Sequence, residues 1–141
     1  AAERLVLVKA RGPQPRPRRS SKSKDHALDG RWVLNPPGCF IRASLEAKLR
    51  ELGAPFEVAA AINNIDMQVS LVASGIGLGL IPARFLASHP KRRRLERITR
   101  SGISIEASIV FMQAGHLGRL EPAATFLEQE FRSHFADRVV R

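Results

Sequence analysis

The stretch Asn63-Asn64-Ile65-Asp66-Met67-Gln68-Val69-Ser70-Leu71-Val72-Ala73-Ser74-Gly75-Ile76-Gly77-Leu78-Gly79-Leu80-Ile81-Pro82 decides how the rest of the chain is read. It reads as a helix, a glycine turn, a short buried strand and a proline stop. Asn64 is placed to cap the helix, and Asp66 in the first turn complements the positive end of the dipole. Ile65, Val69 and Val72 fall on one face with Met67 and Leu71 beside it, an apolar surface wide enough for burial on more than one side. Gly75 suits the left-handed residue that ends a helix. Leu78, Leu80 and Ile81, spaced by glycine, form a strand closely approached by its neighbours. Pro82 stops it and suits the first position of a following helix.

Upstream, Leu5-Val6-Leu7-Val8 is a continuous apolar run expected to be a buried strand. Lys9 to Lys24 then combines Pro13, Pro15 and Pro17 with seven lysines and arginines, which predicts an exposed loop. That loop is either a basic contact surface or a solvated connection. Asp25 to Leu28 has room for one helical turn. Trp32-Val33-Leu34 is a short strand broken by Asn35-Pro36-Pro37-Gly38, because each proline fixes its own φ and restricts the residue before it. From Phe40 to Leu52 a helix is predicted, with Ile41, Leu45, Leu49 and Leu52 turned inward and Arg42, Glu46, Lys48 and Arg50 outward. Phe56 to Ile62 is short and apolar enough for a buried strand.

Beyond Pro82, Ala83 to Ala87 allows a short helix, and His89-Pro90-Lys91-Arg92-Arg93-Arg94 is a second basic cluster, expected in a loop. Leu95 to Ile98 is a short strand. Alternation from Ile103 through Phe111 predicts a longer one reaching Met112. A last helix runs from about Leu120 to Phe135, lined by Ala124, Leu127, Phe131 and Phe135 and widened by Phe126. Strands and helices in alternation define an α/β sheet, mainly parallel.

At 141 residues, the chain has room for one real core. No apolar run reaches the length of a membrane span, and no signal peptide is visible. The chain opens without Met, almost directly on a strand, so Ala1 is not expected to be a native start. One cysteine, Cys39, excludes an internal disulfide and fits a reducing compartment. The net charge of +10 raises a nucleic-acid hypothesis, to be decided by where the charges sit.

The motifs of catalysis are missing. Gly75-Ile76-Gly77-Leu78-Gly79 follows a helix and precedes a strand, the reverse of the order a nucleotide loop requires. The four histidines lack metal-ligand spacing, and no cofactor is indicated. Cys39 precedes a helix without any base the sequence nominates, which favours a structural or ligand-lining role over a nucleophilic one. An enzyme is not expected. The sequence instead offers two helix starts after polar, constrained loops, one following Asn35 to Cys39 and one following Asn63-Asn64. Each comes after a strand, so both are expected side by side on the carboxyl rim of one sheet, where open α/β sheets bind ligands. Free backbone N–H groups there suit a small anion; the plainer reading is two ordinary caps.

The segment Leu71 to Pro82, with Trp32-Val33-Leu34 leading into Pro36-Pro37-Gly38, Leu5 to Val8 upstream and the late strand with its Pro-Ala-Ala helix, resembles the C-terminal effector-binding domain of LysR-type transcriptional regulators. The resemblance implies a type 2 periplasmic-binding-protein-like subdomain: a mainly parallel five-stranded sheet flanked by helices, plus an orphan C-terminal helix. It places the second subdomain with the two crossing strands over residues 4–113, the crossing strands being Leu5–Val8 and Ile105–Met112. It places the return segment and terminal helix over residues 114–141. The family's N-terminal winged helix-turn-helix and most of the first subdomain are expected to be absent. The terminal helix should therefore pack differently on its own subdomain, dock on another copy, or fray.

Carried over by the resemblance, the effector-binding candidates are Pro37, Gly38, Cys39 and Phe40 at one helix start and Asn63 and Asn64 at the other. The family often has a hydroxyl residue where Cys39 stands. The implied partners are a small, often anionic metabolite, further copies of the chain, and DNA through the absent helix-turn-helix, in the cytoplasm and away from membranes. Two other classes stay open: a fragment of a solute-binding protein of related fold, and a basic nucleic-acid-binding module using Lys9–Lys24 and Lys91–Arg94.

Overall fold

The structure, a computed structural model, describes residues 2–12, 28–99 and 101–136. The chain divides into two compact units, Arg4–Ala107 and a smaller one of Ala1–Glu3 with Ser108–Arg141.

The larger unit is built on a mixed sheet. In chain order its elements are β1 (Ala2–Ala10), β2 (Arg31–Leu34), α1 (Phe40–Glu51), β3 (Glu57–Ala61), α2 (Ile65–Ala73), β4 (Leu78–Pro82), α3 (Ala83–Ser88), a 3-10 turn (Pro90–Arg94), β5 (Leu95–Arg97) and β6 (Ile105–Ser108). The strand order is β3-β2-β4-β1-β5, with β6 also against β1. The sheet thus has six strands, where five were expected. β2 runs parallel to both β3 and β4, while β1 runs antiparallel to β4 and β5.

Alternation assigns the side chains to two cores. Leu5, Leu7, Trp32, Leu34, Leu78 and Leu80 cluster with Leu45 and Leu49 of α1. The residues between them, Val8, Val33 and Ile81, cluster with Val69 and Val72 of α2 and Leu86 of α3. Each of these side chains, fully buried, contributes about 1.5–3 kcal/mol, so a one-residue slip of any central strand would exchange the two cores. The faces follow from chirality. The β2-α1-β3 and β3-α2-β4 connections run in opposite directions along the sheet, and right-handed crossovers then place α1 and α2 on opposite faces.

The segment from Asn63 to Pro82 folds largely as its sequence dictates. Asn64 Oδ1 accepts the Met67 N–H at 2.9 Å. At the far end Gly75, at φ +81°, donates to Val72 O at 2.9 Å, and Ile76 N–H donates to Leu71 O at 3.1 Å. These two bonds form a Schellman motif, which satisfies carbonyls that the helix leaves over. Gly77 and Gly79 answer a different need. A Cβ on Gly77 would lie 2.3 Å from the Arg31 carbonyl oxygen, and one on Gly79 would lie 2.8 Å from Val72 Cγ2. β4 can therefore approach β2 and α2 only without side chains at those positions.

Several expectations are corrected. Met67 is 52% exposed; the buried position beside Val69 goes instead to Gln68, whose amide finds a carbonyl partner. Leu52, 46% exposed, falls at the C-cap of α1, where the backbone turns away from the helical stripe. Pro82 ends β4 and serves as the N-cap of α3 rather than its first residue. β1 reaches Ala10 and takes Lys9 out of the predicted loop. The cluster Lys91–Arg94 lies in a 3-10 turn, not a loop, because the His89 side chain caps it at Lys91 N–H. The late strand stops at Ser108, since alternation defines two faces and not where a strand ends. Residues 25–27 of the predicted turn and most of the loop Lys9 to Lys24 lie outside the described residues, while Leu28 is buried in the core.

In the smaller unit a 3-10 turn, Gly118–Leu120, leads into α4, Glu121–Ala136. Phe131 packs against Phe111 and Phe135, with ring centroids 5.7 and 4.7 Å away. Phe126 and Leu127 are exposed.

Candidate functional site

β2 and β3 are neighbouring parallel strands paired up to Leu34 and Ala61. One residue further, Ile62 N–H donates to Leu34 O at 2.8 Å. The loops Asn35–Cys39 and Ile62–Asn64 therefore leave the same edge from adjacent strands, about 4.8 Å apart. Their helices then go to opposite faces of the sheet, α1 to one core and α2 to the other. The carboxyl ends of parallel strands are the usual ligand position in open α/β sheets. The sequence foretold the shared rim. It did not foretell the divergence, which depends on strand order.

The two helix starts differ in chemistry. At α1, the Pro37-Gly38 turn is followed by Cys39 as an extended N-cap (φ −75°, ψ 126°) that makes no side-chain hydrogen bond to the helix. The first turn holds no acid, and the amides of Phe40, Ile41 and Arg42 have no acceptor within the helix. Phe40 is 68% exposed. Arg42, expected to face outward, is instead half-buried. Its Nη1 donates to Asn35 O at 3.2 Å, and the guanidinium lies 5.8 Å from the centre of the Phe56 ring. A fixed positive charge thus stands beside an uncapped helix start.

At α2 the start is closed on itself. Asn64 supplies the cap, and Asp66 adds a negative charge to the first turn. Asn63 is exposed. Gln68 Nε2 donates to Ile62 O at 2.6 Å from a nearly buried position. Asp66 Oδ1 lies 3.2 Å from His89 Nε2, whose Nδ1 accepts the Lys91 N–H at 3.0 Å. The ring proton therefore belongs on Nε2 and is donated to Asp66. The α1 start thus offers backbone amides beside a guanidinium, while α2 offers the Asn63 amide and the Asn64 backbone as polar neighbours. Arg42, Gln68 and Phe56 were missed as contributors. The available signals were a cation in the first turn after a loop rich in carbonyls, and a single polar residue on the inward face of α2.

Among the described residues no group of three or more His, Cys, Asp and Glu side chains is placed to hold a metal ion. No helix among them is long and apolar enough to cross a membrane.

The arrangement defines a class: a type 2 periplasmic-binding-protein-like α/β unit in which two helices start at the ends of adjacent parallel strands. The family model for the LysR substrate binding domain matches residues 1–136, and the chain belongs to that family. No curated protein matches the chain in sequence. Among solved structures, the regulatory domain of CcmR from Synechocystis, in complex with 2-PG, is 19% identical with a TM-score of 0.60, over 91% of this chain and 61% of that one. The effector binding domain of QuiR, in complex with shikimate, is 13% identical with a TM-score of 0.61, over 95% and 63%. Vibrio fischeri DarR, in complex with DNA, is 15% identical with a TM-score of 0.53, over 75% and 35%. The chain thus spans less than two thirds of each of these relatives.

Proposed function

We propose that this chain is the effector-sensing part of a LysR-type transcriptional regulator and takes a small, anionic metabolite at the rim formed by Pro37, Gly38, Cys39, Phe40, Asn63 and Asn64. The observation that carries the reading is the shared rim, where the α1 and α2 starts leave the adjacent ends of β2 and β3. Its α1 side presents free amides, no acid and the Arg42 guanidinium. A carboxylate or phosphate accepts hydrogen bonds from such amides and is favoured by the helix dipole. The ligands held by CcmR and QuiR, 2-PG and shikimate, are small molecules.

The ligand acts on the cytoplasmic parent protein by differential affinity. It binds one arrangement of the two subdomains more tightly than another, and so biases the geometry of an oligomer held on DNA by a separate helix-turn-helix domain. The chain's own chemistry is recognition, not catalysis.

The test is a titration of the 15N-labelled chain with shikimate and a panel of small dicarboxylates and phosphorylated acids, read amide by amide. The expected result is saturable shifts at Phe40, Ile41, Arg42 and Asn63, lost in Arg42→Ala. Saturable shifts confined to residues outside these two helix starts would overturn the assignment of the site.

A further inference from the structure

The basic residues are unevenly distributed. Residues 9–24 hold seven lysines and arginines and no acid, and residues 91–97 hold five with one acid, Glu96, while the whole chain is only +10. Outside these two stretches the chain is close to neutral. The fold brings their described parts together. β1 and β5 pair antiparallel, with Lys9 opposite Glu96 and Ala10 opposite Leu95, and Arg11 N–H donates to Arg94 O at 2.8 Å. Stretches some eighty residues apart in sequence thus meet at one corner.

Part of the charge there is already engaged. Lys9 lies 3.7 Å from Glu96, Lys91 Nζ donates to Ser70 Oγ at 2.6 Å, and Arg92 donates to the Ala87 carbonyl. Arg11, Arg93, Arg94 and Arg97 are exposed, and among the described residues no carboxylate pairs with their guanidinium groups. The 3-10 turn that carries two of them is held in place from beneath. His89, with its side chain 7% exposed, caps the turn through Nδ1 and ties it to Asp66 of α2 through Nε2. Mutually repelling guanidinium groups on an anchored turn form a preorganised anion-binding surface, and the planar fork of arginine matches phosphate oxygens in pairs.

The surroundings narrow the partner. None of the exposed large apolar residues falls within residues 9–12 or 89–99. Stable anchoring at a membrane surface takes an inserted apolar group beside the charge, and a single-stranded nucleic acid would need aromatic platforms for stacking. A duplex backbone needs neither. We propose that the corner of Arg11, Arg93, Arg94 and Arg97 is a sequence-independent contact for the phosphate backbone of duplex DNA, supplementing whatever domain reads the bases. The choice of DNA among polyanions rests on the regulatory reading above.

The experiment is fluorescence anisotropy of this chain with an arbitrary duplex of about 24 base pairs across a salt series. Four phosphate contacts give a slope of log affinity against log salt of about −3.6, and the triple variant Arg93→Ala, Arg94→Ala, Arg97→Ala should lose about three quarters of it. Its affinity at low salt should fall at least tenfold, with the melting temperature unchanged. An unaltered slope in the triple variant would overturn the proposal. So would loss of binding only on neutralising Arg16, Arg18 and Arg19, or tighter binding to single strands or anionic vesicles than to duplex. The amide shifts at Phe40 to Arg42, measured in the same triple variant, report the effector site independently, so failure of one reading is distinguishable from failure of the other.

Discussion

The Ile62 backbone is held at both of its polar groups: its N–H donates to Leu34 O at 2.8 Å, and its carbonyl accepts from Gln68 Nε2 at 2.6 Å. One bond ties the β3–α2 loop to the end of β2, and the other ties it to the inward face of its own helix. The spacing of the two helix starts is therefore set by hydrogen bonds rather than by packing alone. Replacing Gln68 with Leu keeps the volume and removes the donor, leaving a partly buried carbonyl unsatisfied. The expected cost is about 1–3 kcal/mol. Urea unfolding should show a lower midpoint with an unchanged slope, and a midpoint within error of the parent would show that the bond is not holding the loop.

Asn64 separates stability from recognition. Asn64→Ala removes the acceptor for Met67 N–H and should cost about 1 kcal/mol. Asn64→Asp keeps a cap, gains from the dipole, and should leave stability equal or slightly raised. On the rim, however, it adds a negative charge beside the α1 start. If the bound effector is anionic, its affinity falls in Asn64→Asp while the melting temperature does not. Calorimetric titration beside thermal unfolding reads both, and tighter effector binding in the Asp variant would refute an anionic ligand.

Gly77 and Gly79 should not tolerate alanine equally. At Gly77 the new methyl meets a backbone carbonyl at 2.3 Å, whereas at Gly79 it meets a valine methyl at 2.8 Å. Backbone held in a sheet has less freedom to yield than a side chain, even one as buried as Val72. Gly79→Ala should cost about 1–3 kcal/mol and Gly77→Ala more, ranked by denaturant midpoints. The reverse ranking would mean that β2 shifts more easily than the packing of Val72.

Much of this architecture is legible in the residues because its signals are local. Asn64 and Gly75 bound α2, and Pro36-Pro37-Gly38 separates β2 from α1, where the chain admits few alternatives. Alternation marks Leu78, Leu80 and Ile81 as strand but does not say which face meets α1. That depends on β2 lying between β3 and β4, a pairing between residues distant in sequence. The same limit applies to the site. Polar loops before helices mark Cys39 and Asn64 as rim positions. Arg42 reads as a solvent-facing arginine because the carbonyl it binds, on Asn35, belongs to a loop whose path the pattern does not specify. Met67 and Gln68 exchange their expected places for a related reason: hydropathy ranks methionine as the core residue, and a single carbonyl acceptor at Ile62 reverses the order.

α4 should be the least protected helix, and unevenly so. Its described side chains include none that is buried; Phe126 and Leu127 are 60% and 57% exposed. Phe131 packs against Phe111 and Phe135, and the Arg132–Glu128 pair at 2.7 Å adds a few tenths of a kcal/mol at most. A helix of this length is marginal without tertiary support. Hydrogen exchange at low concentration should therefore run fastest over Ala124–Glu128, slower around Phe131, and slowest over Val69–Val72 of α2. Phe131→Ala should bring the whole of α4 to the fast rate. Protection of Ala124–Phe135 that rises with protein concentration would place the exposed face against a second copy. Protection equal to that of Leu71–Ile81 in a dilute monomer would mean that α4 is covered within its own chain, contrary to the exposure of Phe126 and Leu127.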